Sequence, residues 1–162
     1  MDISEVFAVG WLRGENFQWH FAEQKIRPAL FAAPTIRSAC GVPFERDGEA
    51  GSAAFYVARK EHGGWNGILH GGVTFSLMDE AFGWCLFFRD IPSVTARIET
   101  RFHKPIRIGT RLHIRAWVVR QRRRLYDAQA EVRIGDAGGL LVAESAAVLY
   151  NVAPAAGRGV SQ

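Results

Sequence analysis

Trp65-Asn66-Gly67-Ile68-Leu69-His70-Gly71-Gly72-Val73-Thr74-Phe75-Ser76-Leu77-Met78-Asp79-Glu80-Ala81 joins a glycine-rich loop to a strongly apolar segment. From Gly72 to Phe88 apolar side chains stand on nearly every helical face, among them Val73, Phe75, Leu77, Met78, Ala81, Phe82, Trp84, Leu86 and Phe87. A helix that is apolar all round is expected to be buried, and Arg89-Asp90-Ile91-Pro92 is expected to end it. Downstream the period becomes two. Val94, Ala96, Ile98 and Phe102 alternate with Thr95, Arg97, Glu99 and Arg101. Leu112, Ile114, Ala116 and Val118 alternate with Arg111, His113 and Arg115, and Tyr126, Ala128, Ala130, Val132 and Ile134 with Asp127, Gln129, Glu131 and Arg133. Residues 140–151 are more uniformly apolar, and the links at 104–109, 120–124 and 135–139 are short. Short links and half-polar strands predict antiparallel pairing with one wet face.

Upstream, residues 42–45 and 53–58 are short strand candidates around the turn-rich Arg46-Asp47-Gly48-Glu49, and 61–69 read as a loop. The outline is two strands, one buried helix and four antiparallel strands. A single sheet buries a lone helix only by curling around it. The expected class is therefore α+β, an antiparallel sheet curled around one long buried helix. Residues 1–40, with Trp11, Phe17, Trp19, Phe21 and Phe31 in no clean period, are expected to form an N-terminal extension packed on the core. The core domain is expected over 41–152 and a flexible tail over 153–162.

The 162 residues suffice for one domain with a sizeable core; 48% are hydrophobic and 22% charged, as in ordinary globular proteins. No stretch approaches the roughly 20 apolar residues of a membrane span. Met1-Asp2-Ile3-Ser4-Glu5 is not a basic segment followed by an apolar one, so no secretory leader and a cytoplasmic location are expected. Cys40 and Cys85 make neither a disulfide framework nor a zinc spacing, and no metal or cofactor is expected. The net charge of +4 suits an anionic partner. Arg120 and Arg122-Arg123-Arg124 cluster, but no nucleic-acid-binding motif surrounds them. A phosphate-bearing substrate or a solvated hairpin tip explains the same charges.

Asp79 carries the most information. Amid Phe, Leu, Met and Trp its carboxylate is expected to be desolvated, and an unpaired buried charge costs several kcal/mol. Desolvation also makes a carboxyl a better base or nucleophile. The bland reading is that Asp79 or Glu80 pairs with an arginine at a subunit contact. Before the helix, His70-Gly71-Gly72 offers no Ser, Thr, Asp or Asn cap, so first-turn amides are expected to lack side-chain partners. Such amides can hold a developing oxyanion, although Gly-Gly also serves a tight turn. A second triplet, His62-Gly63-Gly64, leads into Trp65-Asn66-Gly67 and is given only a loop role. Nine helical positions separate His70 from Asp79, about 13 Å along the axis and half a turn around it. If the two cooperate they come from different subunits, as an antiparallel twofold dimer provides.

The 65–81 stretch resembles the signature of hotdog-fold thioesterases of the phenylacetate-degradation type: a His-Gly-Gly, an acid nine residues on and an apolar helix. Thr95 to Pro105 resembles the third strand of that family, and the similarity spans about 42–151. The resemblance implies a hotdog fold and hydrolysis of a small-molecule acyl-CoA to free acid and CoA. It implies Asp79 as base or nucleophile, the Gly71 amide of the other subunit polarising the thioester carbonyl, His70 orienting the thioester or loop, and Thr95 positioning water. Relatives often carry asparagine six residues before the histidine; here Gly64 stands there and Asn66 is two residues nearer. Asn66, Gly72 and Glu80 are further substrate-binding candidates, and Arg97 is a possible partner for either acid. Lys104, Arg107, Arg120, Arg122, Arg123 and Arg124 are candidates for the CoA phosphates. Trp84, Phe82, Phe87 and the N-terminal aromatics are candidates for an acyl pocket. His103 and His113 read as surface or packing residues, and Cys85 as a small core side chain. The expected assembly is a homodimer, or a dimer of dimers. The rivals are a non-catalytic acyl-CoA-binding hotdog dimer and a hotdog hydratase or dehydratase; the latter needs an Asp before a His in a loop, which is not evident.

Overall fold

Turn chemistry and the two hydrophobic periods divide the described residues into eight strands and one α-helix, with a 3-10 turn at Lys60–His62. In this computed structural model residues 40–153 are described, so all of the expected N-terminal extension but Cys40, and all of the expected tail but Ala153, lie outside the described residues. The elements are β1 (Glu45–Asp47), β2 (Gly51–Val57), β3 (Gly63–Trp65), β4 (Ile68–Leu69), α1 (Gly71–Phe87), β5 (Ser93–Phe102), β6 (Arg111–Arg122), β7 (Leu125–Ile134) and β8 (Leu141–Asn151). Six strands make one sheet in the order β1-β2-β6-β7-β8-β5, every neighbouring pair antiparallel.

The core comes from a size mismatch between the two layers. Helix α1 buries Thr74, Leu77, Met78, Ala81, Phe82, Cys85 and Leu86, a stripe at spacings of three and four. Facing it, the sheet buries Ala54, Ala116, Ala128, Ala130, Ala143 and Ala147 among Leu112, Ile114, Val132, Val142 and Leu149. Small sheet residues let bulky helical ones sink in, and α1 packs on β2, β5, β6, β7 and β8, as a sheet curled around it must. The Ser52 hydroxyl on β2 donates to the Ala81 carbonyl at 2.7 Å and so anchors the middle of the helix.

Several expectations are corrected. The helix is not buried all round: Phe75, Asp79, Glu80, Gly83, Trp84 and Phe87 are half-buried, and Gly71, Gly72 and Ser76 exposed. A sheet covers one side of a helix, and no described layer covers the other. On β5, Val94 and Phe102 are 47% and 53% exposed rather than inward. This is one of the two edge strands, and its register slips between Thr95 and Arg97, which breaks the alternation. The first strand lies at Glu45–Asp47 rather than 42–45, while Val42 and Phe44 enter the core as irregular chain. Within the expected 61–69 loop, β3 and β4 form a hairpin whose turn residues Asn66 and Gly67 have φ of 44° and 72°. Asn-Gly is the preferred pair where both central residues need positive φ.

Phe82, a pocket candidate from sequence, is fully buried against the sheet. Trp84 and Phe87 instead join Phe44 and Phe88 in an aromatic cluster at the helix C-terminus, with ring centroids 4.9–6.2 Å apart. Arg46 lies 5.6 Å over the Phe88 ring and donates to the Phe88 carbonyl. Cys85 is wholly buried, and burial pushes its thiol up to about 11, which suits its reading as a core side chain. His113 is likewise buried, 5.0 Å from Phe55. Among the described residues no helix is long and apolar enough to cross a membrane. Phe82→Ala is expected to cost about 3–5 kcal/mol through lost burial and an unfilled cavity; a lower urea unfolding midpoint checks this.

Candidate active site

Core packing fixes the rotation of α1, and that rotation carries Asp79 off the sheet-facing stripe toward β5. There the Thr95 hydroxyl donates to Asp79 Oδ1 at 2.6 Å. The carboxylate is half-buried rather than desolvated, because it sits on the flank of the helix. No arginine pairs with it among the described residues. Arg97, the partner considered from sequence, turns instead to Glu99 at 3.3 Å on an exposed stretch. Glu80 points another way, as consecutive helical residues must, and its Oε2 accepts the Cys40 amide at 3.2 Å. Burial, then the charge of Glu80 and a hydrogen bond to it, then the charge of Asp79, push the Cys40 thiol up to about 11. The chain entering the domain thus runs beside both acids.

About 12 Å back along the helix, eight residues at 1.5 Å each, the N-terminus is built differently from the sequence expectation. His70 caps its own helix: Nδ1 accepts the Gly72 amide at 2.9 Å. The Val73 and Thr74 amides take the His70 carbonyl at 2.9 and 3.4 Å. Of the first-turn donors, the Gly71 amide alone has no acceptor among the described residues. Histidine was missed as a cap because it is not among the usual capping residues; the signal was its place immediately before the first helical glycine.

The glycines around His70 have steric reasons. A Cβ on Gly72 would lie 2.9 Å from His70 Nδ1, and one on Gly64 within 3.1–3.2 Å of the His70 backbone and ring. The imidazole is therefore held between two glycines, and a side chain at the Gly64 place would crowd His70. Beneath it the His70 amide donates to the His62 carbonyl at 3.0 Å, and His62 Nδ1 meets the buried Tyr56 hydroxyl at 2.5 Å. The first His-Gly-Gly supports the second, a link that sequence reasoning missed because it depends on Tyr56 from another strand.

Two grooves meet at Gly71. One, of about 610 Å³, is lined by Gly64, Trp65, Asn66, Ile68, Leu69, His70, Gly71 and Pro105, so Asn66 lies beside the site although its backbone serves the turn. The other, of about 280 Å³, is lined by Leu69, Gly71, Thr74, Phe102, His103, Lys104, Pro105 and Ile106. Asp79 lines neither, so a single chain does not bring carboxylate and open amide to one point.

The basic candidates divide. Lys104 lines the second groove, and Arg107 is exposed nearby. Arg120 and Arg122 are spent on Asp127, at 2.8 and 2.7 Å. Burial pushes the Asp127 carboxyl up, but these two guanidinium groups outweigh it and hold it below its usual range. Arg124 donates to the Asn151 and Ala153 carbonyls and lies 5.1 Å over the Tyr150 ring, closing a strand end. Arg123 occupies the hairpin tip with φ of 54°. His103 pairs with Glu144 at 3.0 Å, a surface role as expected. Among the described residues no group of His, Cys, Asp or Glu is arranged to hold a metal.

Comparison with known proteins agrees with this architecture. A family model described as the thioesterase superfamily matches residues 66–140. A variant of the phenylacetic acid degradation protein PaaI from Thermus thermophilus is 25% identical, covering 70% of this chain and 96% of its own at a TM-score of 0.63. The E. coli PaaI protein is 19% identical, covering 77% of this chain and 89% of its own at 0.67. A Streptococcus mutans protein bound to acetyl CoA is 17% identical, covering 68% of this chain and 87% of its own at 0.63. Among curated protein sequences none matches the chain. One helix in a curled antiparallel sheet gives this chain the hotdog fold, and the superfamily match across the His-Gly-Gly and the acid makes it similar to hotdog thioesterases such as PaaI.

Proposed function

We propose that this chain is a thioesterase that hydrolyses a small-molecule acyl-CoA to the free acid and CoA, working as a homodimer. The observation that carries the reading is the 2.6 Å hydrogen bond from Thr95 to Asp79. It joins a strand hydroxyl and a helix carboxylate that the family resemblance separately named as water-positioning and reactive groups. A hydroxyl on one carboxylate oxygen leaves the other for water or for the substrate.

In the reaction the thioester carbonyl oxygen accepts the open Gly71 amide, whose orientation is fixed by His70 between its two glycines. As the carbonyl carbon becomes tetrahedral, negative charge grows on that oxygen, and an amide already in place stabilises it without reorganising. Asp79 either takes a proton from water, whose oxygen then attacks, or attacks directly to form a carboxyl anhydride that water cleaves. In both routes the C–S bond breaks, the thiolate collects a proton and water supplies the acid's oxygen. Lys104 and Arg107 are the basic residues best placed for CoA phosphates; Arg120, Arg122 and Arg124 have internal partners. No cofactor is called for.

The separation along α1 supports an active site shared between subunits. So does β5, a ten-residue outer strand with Val94 and Phe102 exposed, since such an edge favours pairing with another chain. Pairing two α1 helices antiparallel places Asp79 of one protomer near Gly71 of its partner, twice over.

Asp79→Asn is expected to lower kcat by about 10²–10⁴-fold while retaining CoA binding, measured by thiol release from a panel of acyl-CoAs. Thr95→Ala is expected to lose roughly 10- to 100-fold, the worth of a hydrogen bond to a charged group. Full activity of Asp79→Asn on every substrate the wild type cleaves would sink the mechanism. For the shared site, co-expressed Asp79→Asn and His70→Ala chains, each inactive alone, are expected to recover about a quarter of wild-type activity. Half of the random dimers are mixed, and each mixed dimer holds one intact site of two. Recovery of nothing would place both groups in one chain.

A further inference from the structure

The hairpin that leads into α1 is held by very little. From Arg59 to Gly67 every residue is exposed except His62, which is half-buried. β3 and β4 form a two-stranded sheet of their own, outside the six-stranded one. The β4 side is tied by backbone: the Leu69 amide donates to the Ile106 carbonyl and the Ile108 amide to the Gly67 carbonyl, both at 2.8 Å. The β3 side hangs on one side chain. His62 lays its ring nearly parallel to that of the buried Tyr56, with centroids 6.1 Å apart, and its Nδ1 meets the Tyr56 hydroxyl at 2.5 Å. Tyr56 is itself fixed within the sheet, since β2 pairs with both β1 and β6. Burial pushes the Tyr56 phenol up, so the hydroxyl keeps its proton, and the Arg59 amide lies 3.5 Å from its oxygen. The phenol proton is therefore directed to Nδ1.

What His62 holds is the floor under the helix start. Its carbonyl takes the His70 amide at 3.0 Å, and Gly64, two residues on, lies against the His70 backbone and ring. His70 in turn fixes the first turn of α1 through its ring and its carbonyl, with Gly71 left as the open donor among the described residues. We propose that His62 is a positioning residue for thioester hydrolysis: through Tyr56 it sets where the Gly71 amide lies as charge develops on the carbonyl oxygen. The inference rests on the thioesterase reading and adds a determinant of kcat that does not touch the reacting atoms. His62 lines neither groove at Gly71, so its removal takes no contact directly from the substrate. A fixed donor is worth most when the oxygen is negative, in the transition state. A displacement of about 1 Å caused by a remote change can cost on the order of 10²-fold in rate. The uncharged carbonyl of the bound ester loses little from the same displacement, so the loss falls on kcat and not on KM.

The test measures thiol release from acetyl-, hexanoyl- and benzoyl-CoA, together with free-CoA binding, for Tyr56→Phe, His62→Ala, His62→Asn and the Tyr56→Phe/His62→Ala double variant. Tyr56→Phe and His62→Ala are each expected to lower kcat roughly tenfold on every ester that wild type cleaves, with KM and free-CoA affinity within about twofold. The double variant is expected to lose no more than His62→Ala alone, because the two groups act as one contact. An asparagine oxygen can stand where Nδ1 stands, so His62→Asn is expected to recover to within about threefold of wild type. Histidine nitrogen NMR is expected to show His62 with Nδ1 as acceptor and the proton on Nε2, a signature lost in Tyr56→Phe. The Gly71 amide resonance is expected to shift in both single variants. Losses in KM or free-CoA affinity as large as those in kcat would make the hairpin a binding wall and overturn the proposal. So would additive losses in the double variant, no rescue by His62→Asn, or a Gly71 amide unmoved in Tyr56→Phe. If His62→Ala does not fold, Tyr56→Phe, which removes a single oxygen, and His62→Asn decide the same points. If wild type cleaves none of the esters, the hydrolase reading fails, and the Gly71 resonance in Tyr56→Phe and His62→Asn still decides whether His62 positions that amide.

Discussion

Leu77, Met78, Phe82 and Leu86 press on a sheet floor paved with alanines, and this contact governs the rest of the molecule. Large apolar residues on one stripe of a helix leave a single rotation that buries them, because turning the helix would lift several from the floor and put others in their place. The Ser52 hydroxyl on the Ala81 carbonyl marks the same setting with a directional bond. Once rotation is set, the flank residues have no choice: Asp79 meets Thr95, while Glu80 meets the chain at Cys40. The positions of both acids are consequences of where the hydrophobic residues went.

The other half of the site rests on a different constraint, the satisfaction of backbone donors at a helix start. His70 supplies its carbonyl to two amides and its ring to a third, which leaves Gly71 as the one open donor of the first turn among the described residues. A side chain at 64 or 72 would crowd His70, most tightly at 72, where a Cβ would lie 2.9 Å from the ring nitrogen. Tyr56 and His62 tie this arrangement to the central sheet, so a loop of small residues holds a defined shape.

Charge is distributed with equal economy. Arg120 and Arg122 meet at Asp127, Arg124 closes a strand end, and Arg97 turns to Glu99. Exposed pairs of this kind contribute little stability, yet they remove most of the apparent basic cluster from the set of free anion-binding groups. Among the described residues Lys104, beside Gly71, has no ion-pair partner, and Trp65, on its other side, has no ring partner. Within one protomer both α1 and β5 run between the Asp79–Thr95 pair and the Gly71–Phe102 end.

The sequence by itself determined the buried helix, the antiparallel strands that follow it and the sheet curled around it, and it singled out Asp79, Gly71 and Thr95 as candidates, because periodicity and a family signature are local properties of the chain. It also showed that His70 and Asp79 are too far apart on one helix to act together, which is a matter of rise per residue. Tertiary structure decided what depends on neighbours distant in the chain. Phe82 went to the core and not to a pocket, since only the sheet reveals which helical face is covered. Asp79 came out half-buried and bonded to a hydroxyl, and Arg97 missed it, since a register slip on β5 re-aims the strand's side chains. His70 became a cap, and the arginines found partners, because such contacts depend on which atoms folding brings within about 3 Å, and no spacing rule along the sequence encodes that.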